Sequence, residues 1–222
     1  VQGLYHIGSL GTFTQSRGSD FDYWVIINSA EFSDKRLSAL QSKLDELVVY
    51  SREQYGQEVS FFVHDAEDIK NNNFDPVKGD ETFTAPRSFL KEEFYRTFLM
   101  IAGRIPFWAV FPVGLTDREY DSFVGEIHRA EHLAAYRNEY IDLGNLESIS
   151  TEEIFKGILW HISKSKQDPV KALIKASMVA CYRFGPKEDR SLMCDMVKKG
   201  YAKAGIDDYL VDPNRLLFVR VI

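Results

Sequence analysis

Three consecutive segments near the start of the chain restrict its fold more than any other feature. Residues 21–27, FDYWVII, are rich in aromatic and β-branched side chains and predict a strand. Residues 33–55 carry leucines at helical spacing and predict a helix. Residues 58–63, EVSFFV, predict a second strand, and residues 4–7 predict a short strand that precedes all three segments. This order predicts a small mixed sheet with helices packed against it.

The next part of the chain extends this sheet. Residues 71–86 are polar, contain glycine and proline, and predict a loop. Residues 88–104 predict a helix, and residues 106–112, PFWAVFP, predict a fourth strand.

Helical patterns dominate the second half. Ser150 and Glu153 form a capping-box pattern, and Asp168 precedes a proline that suits the first position of a helix. Helices are expected at residues 150–163, 169–182 and 187–204. We therefore predict an α+β fold, with a first lobe at residues 1–115 and a mainly helical lobe at residues 116–222 that completes a cleft.

Charge and composition exclude several classes of function. The 222 residues carry 27 basic and 33 acidic side chains, a net charge of −6 that argues against sequence-independent nucleic-acid binding. No apolar run is long enough to span a membrane, and no signal peptide is recognisable. Cys181 and Cys194 fit no zinc-binding spacing and indicate a reducing compartment, so a cytoplasmic location is expected. The chain begins with Val1 and ends in an apolar run, from which we expect a fragment of a longer protein.

The pattern that points to chemistry begins where the first predicted strand ends. Gly8 allows the backbone to approach a ligand closely, and the backbone N–H groups and hydroxyls from Ser9 onward suit phosphate oxygens. Asp20 and Asp22 are two residues apart on the next strand, so their side chains project from one face. Two adjacent carboxylates repel each other unless a cation lies between them. Magnesium, which prefers carboxylate and phosphate oxygens, is the expected ion.

A third acid, Glu58, opens the next predicted strand and would lie beside this pair if the two strands are neighbours. The alternative is that Asp20 and Asp22 are solvent-facing strand residues without a function. The preceding Gly-Ser pair, the apolar run that starts at Phe21 and the third acid all favour a catalytic site.

These residues and several longer segments resemble known protein families. A Gly-Ser pair, ten residues and then D-x-D, with an acid on a later strand, is similar to the nucleotidyltransferase fold shared with DNA polymerase β. Longer segments resemble the class I adenylate cyclases, a bacterial family typified by enterobacteria. These segments are IGSLGTFTQSRGSDFDYWV, EVSFFV, FLKEEFYRTFLMIAGRIPFWAVFP and EYIDLGNLESISTEEIFKGILWHISKSKQDPVKALIK. The motif LWHISKSKQDPVKALIK is more specific than D-x-D, which many transferases share.

The resemblance implies conversion of ATP to 3′,5′-cyclic AMP and pyrophosphate with Mg²⁺ or Mn²⁺. It implies in-line attack assisted by two metal ions that Asp20, Asp22 and Glu58 bind, while Gly8 and Ser9 hold phosphates. It also implies a larger parent protein whose regulatory C-terminal region is absent here.

A basic stretch would supply the opposite charge. Residues 156–175 contain five lysines and one acid. The resemblance matches Lys164 and Lys171 to lysines of the family motif, and both are predicted triphosphate ligands; the alternative is a solvated basic face. Arg96 is a weaker phosphate candidate, because it can equally pair with Glu92 or Glu93 of its own helix.

Two other functions stay open on the sequence alone. A nucleotidyltransferase that moves NMP to an external hydroxyl would use the same three acids. A non-catalytic nucleotide-binding module would keep the fold, although retention of all three acids argues against decay.

Overall fold

The structure is a computed structural model that describes residues 1–8, 10, 18–73, 86–166, 169–185 and 191–203. These residues form an α+β fold, as predicted. Its strands are β1 (Gly3–Ile7), β2 (Phe21–Ile27), β3 (Val59–Asp65), β4 (Leu99–Gly103), β5 (Ile105–Pro106) and β6 (Tyr140–Ile141). Its α-helices are α1 (Asp34–Tyr55), α2 (Ala66–Lys70), α3 (Arg87–Thr97), α4 (Phe107–Val110), α5 (Asp117–Arg129), α6 (Thr151–Ser163), α7 (Pro169–Phe184) and α8 (Met193–Lys203). Short 3₁₀ helices occupy Ser29–Glu31, Glu131–Glu139 and Lys164–Lys166.

The main sheet has the strand order β3-β2-β1-β4. Strand β1 runs antiparallel to both β2 and β4, whereas β2 and β3 are parallel and are joined through α1. In this register Asp22 pairs with Ile7 on one side and with Ser60 on the other. The sheet therefore brings the end of β1 and the beginnings of β2 and β3 to one edge.

Helix α1 connects the two parallel strands and has well-defined ends. The Ser33 hydroxyl accepts a hydrogen bond from the Arg36 N–H at the N-terminus, and Gly56 ends the helix with a φ of 63°. Of the predicted leucine stripe, Leu44 is buried whereas Leu37 and Leu47 are 40% and 50% exposed. The helix therefore covers the sheet with a narrow apolar contact.

Alternate residues of β2 face two different helical layers. Val25 and Ile27 form a small apolar cluster with Leu44 of α1. Trp24 faces the other side, where its ring stacks on Phe94 of α3 with 4.7 Å between ring centroids. The larger core lies on that side and includes residues from the first strands through to Cys194 of α8. Helix α3 is therefore the central helix between the sheet and the C-terminal helices.

Two sequence predictions were wrong between residues 88 and 112. The predicted helix 88–104 ends at Thr97, and Leu99–Gly103 forms β4 instead, because this short apolar segment pairs with β1. Of the predicted strand 106–112, only Pro106 lies in a strand, the end of β5, and Phe107–Val110 forms α4. Packing decides here, since Trp108 of α4 stacks on Tyr95 with 4.3 Å between ring centroids.

The C-terminal helices follow the predicted pattern. The Ser150 hydroxyl accepts from the Glu153 N–H at the start of α6, while the Glu153 carboxylate accepts from the Ser88 N–H, which joins α6 to α3. Helix α7 begins at Pro169, and Asp168 lies outside the described residues. The last predicted helix, 187–204, corresponds to α8, although residues 187–190 and 204 also lie outside them. Within the described part of the chain, every helix is too short or too polar to cross a bilayer.

Candidate active site

The two aspartates of the D-x-D motif lie at the edge of the sheet where β1 ends and β2 and β3 begin. Asp20 is exposed immediately before β2, and Asp22 is partly buried on the face that carries Trp24. Burial, together with the negative charges of Asp20 and Glu93, raises the pKa of Asp22 to about 6. The predicted repulsion between adjacent carboxylates is therefore present, and a cation between them would relieve it.

Gly8 lies beside this pair, at the end of β1. Its neighbour Ile7 pairs with Asp22, and Gly8 has a φ of 99°, a conformation that favours glycine. The Gly8 N–H donates to Thr97 Oγ1 at 3.0 Å, which ties the end of β1 to the end of α3. Ser9 lies outside the described residues. Gly8 is thus at the position where a phosphate-binding turn would meet the acids.

Glu58 precedes β3 directly. Its carbonyl oxygen accepts a hydrogen bond from the Phe21 N–H at 3.0 Å, so the strand register continues to a position beside Asp20. Its side chain is exposed. Gln57 holds the two strand starts together, because its Nε2 donates to the carbonyl oxygens of Ser19 and Glu58 at 2.8 and 3.0 Å.

At this edge of the sheet, the carboxylates of Asp20 and Asp22 are the two groups placed to bind a metal ion. No group of three or more His, Cys, Asp or Glu side chains that could hold a metal ion occurs among the residues with described positions. Asp20 and Asp22 nevertheless fit magnesium, which proteins commonly hold through one or two carboxylates together with substrate phosphates and water. The role of Glu58 as a third ligand stays a prediction.

Helix α7 directs positive charge toward the acids. The ammonium groups of Lys171 and Lys175 both act to lower the pKa of Asp22. Lys171 is exposed in the first turn of α7. Lys175 is only 21% exposed and donates to Glu93 Oε1 at 2.8 Å. Lys164 stands over the ring of Trp160, with Nζ 4.2 Å from the ring centroid.

Arg96 makes the helix-internal pairs that the sequence left open. It is 4% exposed, its Nε donates to Glu92 Oε2 at 3.3 Å, and its Nη2 lies 3.8 Å from Glu93 Oε1. The other Glu92 oxygen accepts from the Cys194 N–H at 2.9 Å. The Nη1 atom of Arg96 is buried and has no hydrogen-bond partner among the described residues. A phosphate-binding role for Arg96 stays a prediction.

A cleft between α3, α6 and α7 adjoins these residues. Glu93, Arg96, His161 and Lys175 line its polar side, and Trp160 lines its apolar side. Burial acts to raise the pKa of Glu93, but the charges of Lys175 and Arg96 outweigh it and lower the pKa to about 2. Burial, together with Lys175, lowers the pKa of His161 to about 3, so this imidazole is neutral at pH 7.

Sequence reasoning missed Glu93, Lys175, His161 and Gln57 as members of this region. Glu93 and His161 lie within segments quoted for the family resemblance, but no spacing rule connects a glutamate of α3 with a lysine 82 positions later. Only the packing of α7 on α3 brings them together.

Comparisons with known proteins identify relatives along the whole chain. Residues 1–109 match the family model described as the adenylate cyclase NT domain. Adenylate cyclases of Shigella flexneri and Escherichia coli K12 are each 32% identical over 221 residues and cover 100% of this chain. The adenylate cyclase of Proteus mirabilis is 30% identical over 221 residues, again across 100% of the chain. The predicted resemblance to bacterial adenylate cyclases is thereby confirmed.

The chain spans 25% of the length of each of these relatives. No solved structure matches it significantly.

Proposed function

This chain belongs to the adenylate cyclase family through the N-terminal domain that its first 109 residues match, and we propose that it holds the site at which ATP is cyclised to 3′,5′-cyclic AMP. One observation carries the proposal. Asp20 and Asp22 lie together at the start of β2, next to Gly8, and the charges of Lys171 and Lys175 on α7 act on Asp22. Opposed carboxylates and ammonium groups suit a triphosphate that carries a divalent cation.

In the proposed reaction the ribose 3′-hydroxyl attacks the α-phosphorus. A bond forms between O3′ and the α-phosphorus, the bond from the α-phosphorus to the oxygen bridging to the β-phosphate breaks, and pyrophosphate leaves. The hydroxyl proton passes to a carboxylate or to water. The fold that supports this chemistry would be of the nucleotidyltransferase type. Holding the hydroxyl in line with the leaving group supplies much of the rate enhancement in such reactions.

The roles of the residues follow from their positions. Asp20 and Asp22 would hold Mg²⁺, or Mn²⁺, with Glu58 beside them to orient the ribose hydroxyl. Bound magnesium would neutralise phosphate charge and lower the pKa of the attacking hydroxyl. Gly8 would allow the β- and γ-phosphates to approach the backbone closely, and the adjacent Ser9 would contact them through its backbone N–H group.

Lysines would neutralise the leaving group. Lys171, exposed near Asp22, and Lys164, at the end of α6, are the proposed triphosphate ligands. Arg96 would act from within the cleft, where its Nη1 has an unused N–H group as far as the described residues show.

The remaining parts of the proposal concern the whole protein. A regulatory region would follow this domain in a longer polypeptide of the kind that the relatives represent. We propose a cytoplasmic location, where ATP is available, and no nucleic-acid partner.

The test uses the chain with ATP and Mg²⁺, with products separated by chromatography and identified by mass. We expect cyclic AMP and pyrophosphate, both lost in Asp20→Ala and Asp22→Asn. Asp45→Asn, which changes an exposed acid on α1, is the matched control and should keep the activity.

Other outcomes separate the alternatives. Pyrophosphate without cyclic AMP indicates transfer of the nucleotide to an external hydroxyl. Magnesium-dependent ATP binding without turnover, lost in Asp22→Asn, indicates that the site needs more of the protein for catalysis. Absence of ATP binding contradicts the proposal and favours a module without this activity.

A further inference from the structure

Helices α6 and α7 pack against each other and leave a large apolar face uncovered. Its six large side chains are between 50% and 68% exposed. We call this surface the α6–α7 face, and it consists of Phe155, Leu159, Ile162, Val170, Leu173 and Phe184. Phe155, Leu159 and Ile162 follow one another at spacings of four and three residues, so they form one stripe along α6.

The surface is continuous across the two helices. The rings of Phe155 and Phe184 meet edge to face with 6.1 Å between their centroids. Between Leu173 and Phe184, the outward positions of α7 are filled by small uncharged residues, Ala176, Ser177 and Ala180. No charged side chain therefore interrupts the centre of the face, although the chain as a whole carries 60 charged residues. Charge depletion at the centre is typical of surfaces that proteins bury on association.

The exposed area is large enough for a stable dimer. Half to two thirds of six large side chains amounts to about 700 Å² on one copy. The largest apolar patch on an ordinary monomer is about 300–600 Å². A stable protein interface buries about 800 Å² on each partner, so two copies of this face would form an interface of ordinary size.

We propose that the α6–α7 face is the contact surface of a homodimer in which α6 of one copy lies antiparallel to α6 of the other. Charge complementarity supports this occupant. Glu152 lies in the first turn of α6 and Lys166 follows the helix, each seven residues from Leu159. A two-fold axis near Leu159 brings Glu152 opposite the partner's Lys166, and the symmetry repeats this pair. Glu152 and Lys166 are both exposed, and Glu152 pairs with Lys156 of its own helix at 2.6 Å, so a partner's Lys166 would join this surface pair.

The net charge of −6 favours a contact surface that carries little charge of its own. Two acidic copies repel each other, and the repulsion is smallest where the surface is uncharged at its centre and balanced at its ends. The α6–α7 face meets the first condition, because no charged side chain lies at its centre.

Sedimentation velocity of the 222-residue chain tests the proposal over a range from about 1 to about 200 μM. We expect a concentration-dependent dimer. Leu159→Lys should raise the dimer dissociation constant by more than about tenfold, because it places two like charges at the axis. Val49→Lys, on α1 at 54% exposure, is the matched control and should leave the dimer unchanged. A monomer throughout the range, or a dimer that is disrupted by Val49→Lys and not by Leu159→Lys, overturns the proposal.

Charge reversal provides an independent test of the geometry. Glu152→Lys and Lys166→Glu should each weaken the dimer several-fold, and the double variant should restore it because the pairs form again with opposite sign. A double variant as weak as the two single changes combined contradicts the antiparallel arrangement.

The alternative occupant of the α6–α7 face is a membrane surface, and binding to phosphatidylglycerol vesicles tests it. A chain that stays monomeric and sediments with the vesicles, but not after Leu159→Lys, assigns the face to lipid and overturns the dimer.

Discussion

Lys175 of α7 and Glu93 of α3 form an ion pair at 2.8 Å, and this pair joins the helical lobe to the residues around Asp22. Neither side chain is more than 26% exposed. Glu93 also receives the Nη2 group of Arg96 at 3.8 Å, so one carboxylate connects two cations from different helices. The pair therefore contributes to the position of α7, the helix that carries Lys171.

Glu93→Gln is expected to lower the free energy of unfolding by about 1–2 kcal/mol at pH 7, because it removes the charge that holds Lys175 and Arg96. The pKa of Glu93 is lowered to about 2 in the folded protein, so its contribution is complete above pH 4.5 and is lost as the pH falls toward 2. Urea unfolding at several pH values checks this. A difference between variant and wild type that grows as the pH falls from 4.5 would contradict the assignment.

Glu92→Gln is expected to destabilise the protein by about 2–3 kcal/mol, because it removes the charge nearest to the buried guanidinium of Arg96. Glu92 and Arg96 are 1% and 4% exposed, so water does not replace the lost partner. The measurement is denaturant unfolding, with Asp45→Asn as control, since Asp45 is an exposed acid on α1 and its loss should be undetectable. In a double-mutant cycle, Arg96→Gln should then cost less in the Glu92→Gln background than in the wild type. Equal costs would show that the pair is not coupled.

Gly157→Ala and Gly125→Ala are expected to have opposite effects, although both glycines lie inside helices. A Cβ at Gly157 would meet the ring of Phe89 at 2.9 Å, where α6 packs on α3, and overpacking of this kind costs about 1–3 kcal/mol. A Cβ at Gly125 meets only the flexible end of Arg129 at 3.6 Å, so alanine should stabilise α5 by about 0.5–1 kcal/mol. Thermal unfolding of the two variants checks the prediction, and stabilisation of both would mean that α6 and α3 are packed less closely.

His161→Gln is expected to flatten the pH dependence of stability between pH 7 and pH 5. Burial and the charge of Lys175 lower the pKa of His161 to about 3, whereas an unfolded histidine titrates near 6.5. The unfolded state therefore binds more protons below pH 6.5, and acid removes stability, by about 1–2 kcal/mol at pH 5. The free energy of unfolding at pH 7 minus that at pH 5 should be smaller in the variant by this amount. An unchanged difference would show that His161 is protonated normally in the folded protein.

Local patterns in the sequence determined much of the fold. Residues 21–27 formed a strand with the predicted bounds, and α1 began after Ser33 and ended at Gly56 as expected. Capping residues and alternating side chains act through bonds and contacts within a few residues, so the sequence alone determines them. The same reasoning placed Asp20 and Asp22 on one face of a strand.

Tertiary structure decided what depends on contacts between distant segments. Leu99–Gly103 became a strand because β1 offered hydrogen bonds, and periodicity cannot distinguish a short apolar strand from the end of a helix. Arg96 became buried because Glu92, Glu93 and Cys194 surround it, and Lys175 reached Glu93 because α7 packs near α3. Burial and charge around a side chain arise from all the elements that meet there. The sequence by itself therefore determined the acid pair and its strand, whereas the folded chain alone determined which cations face that pair and how strongly each pKa departs from its ordinary value.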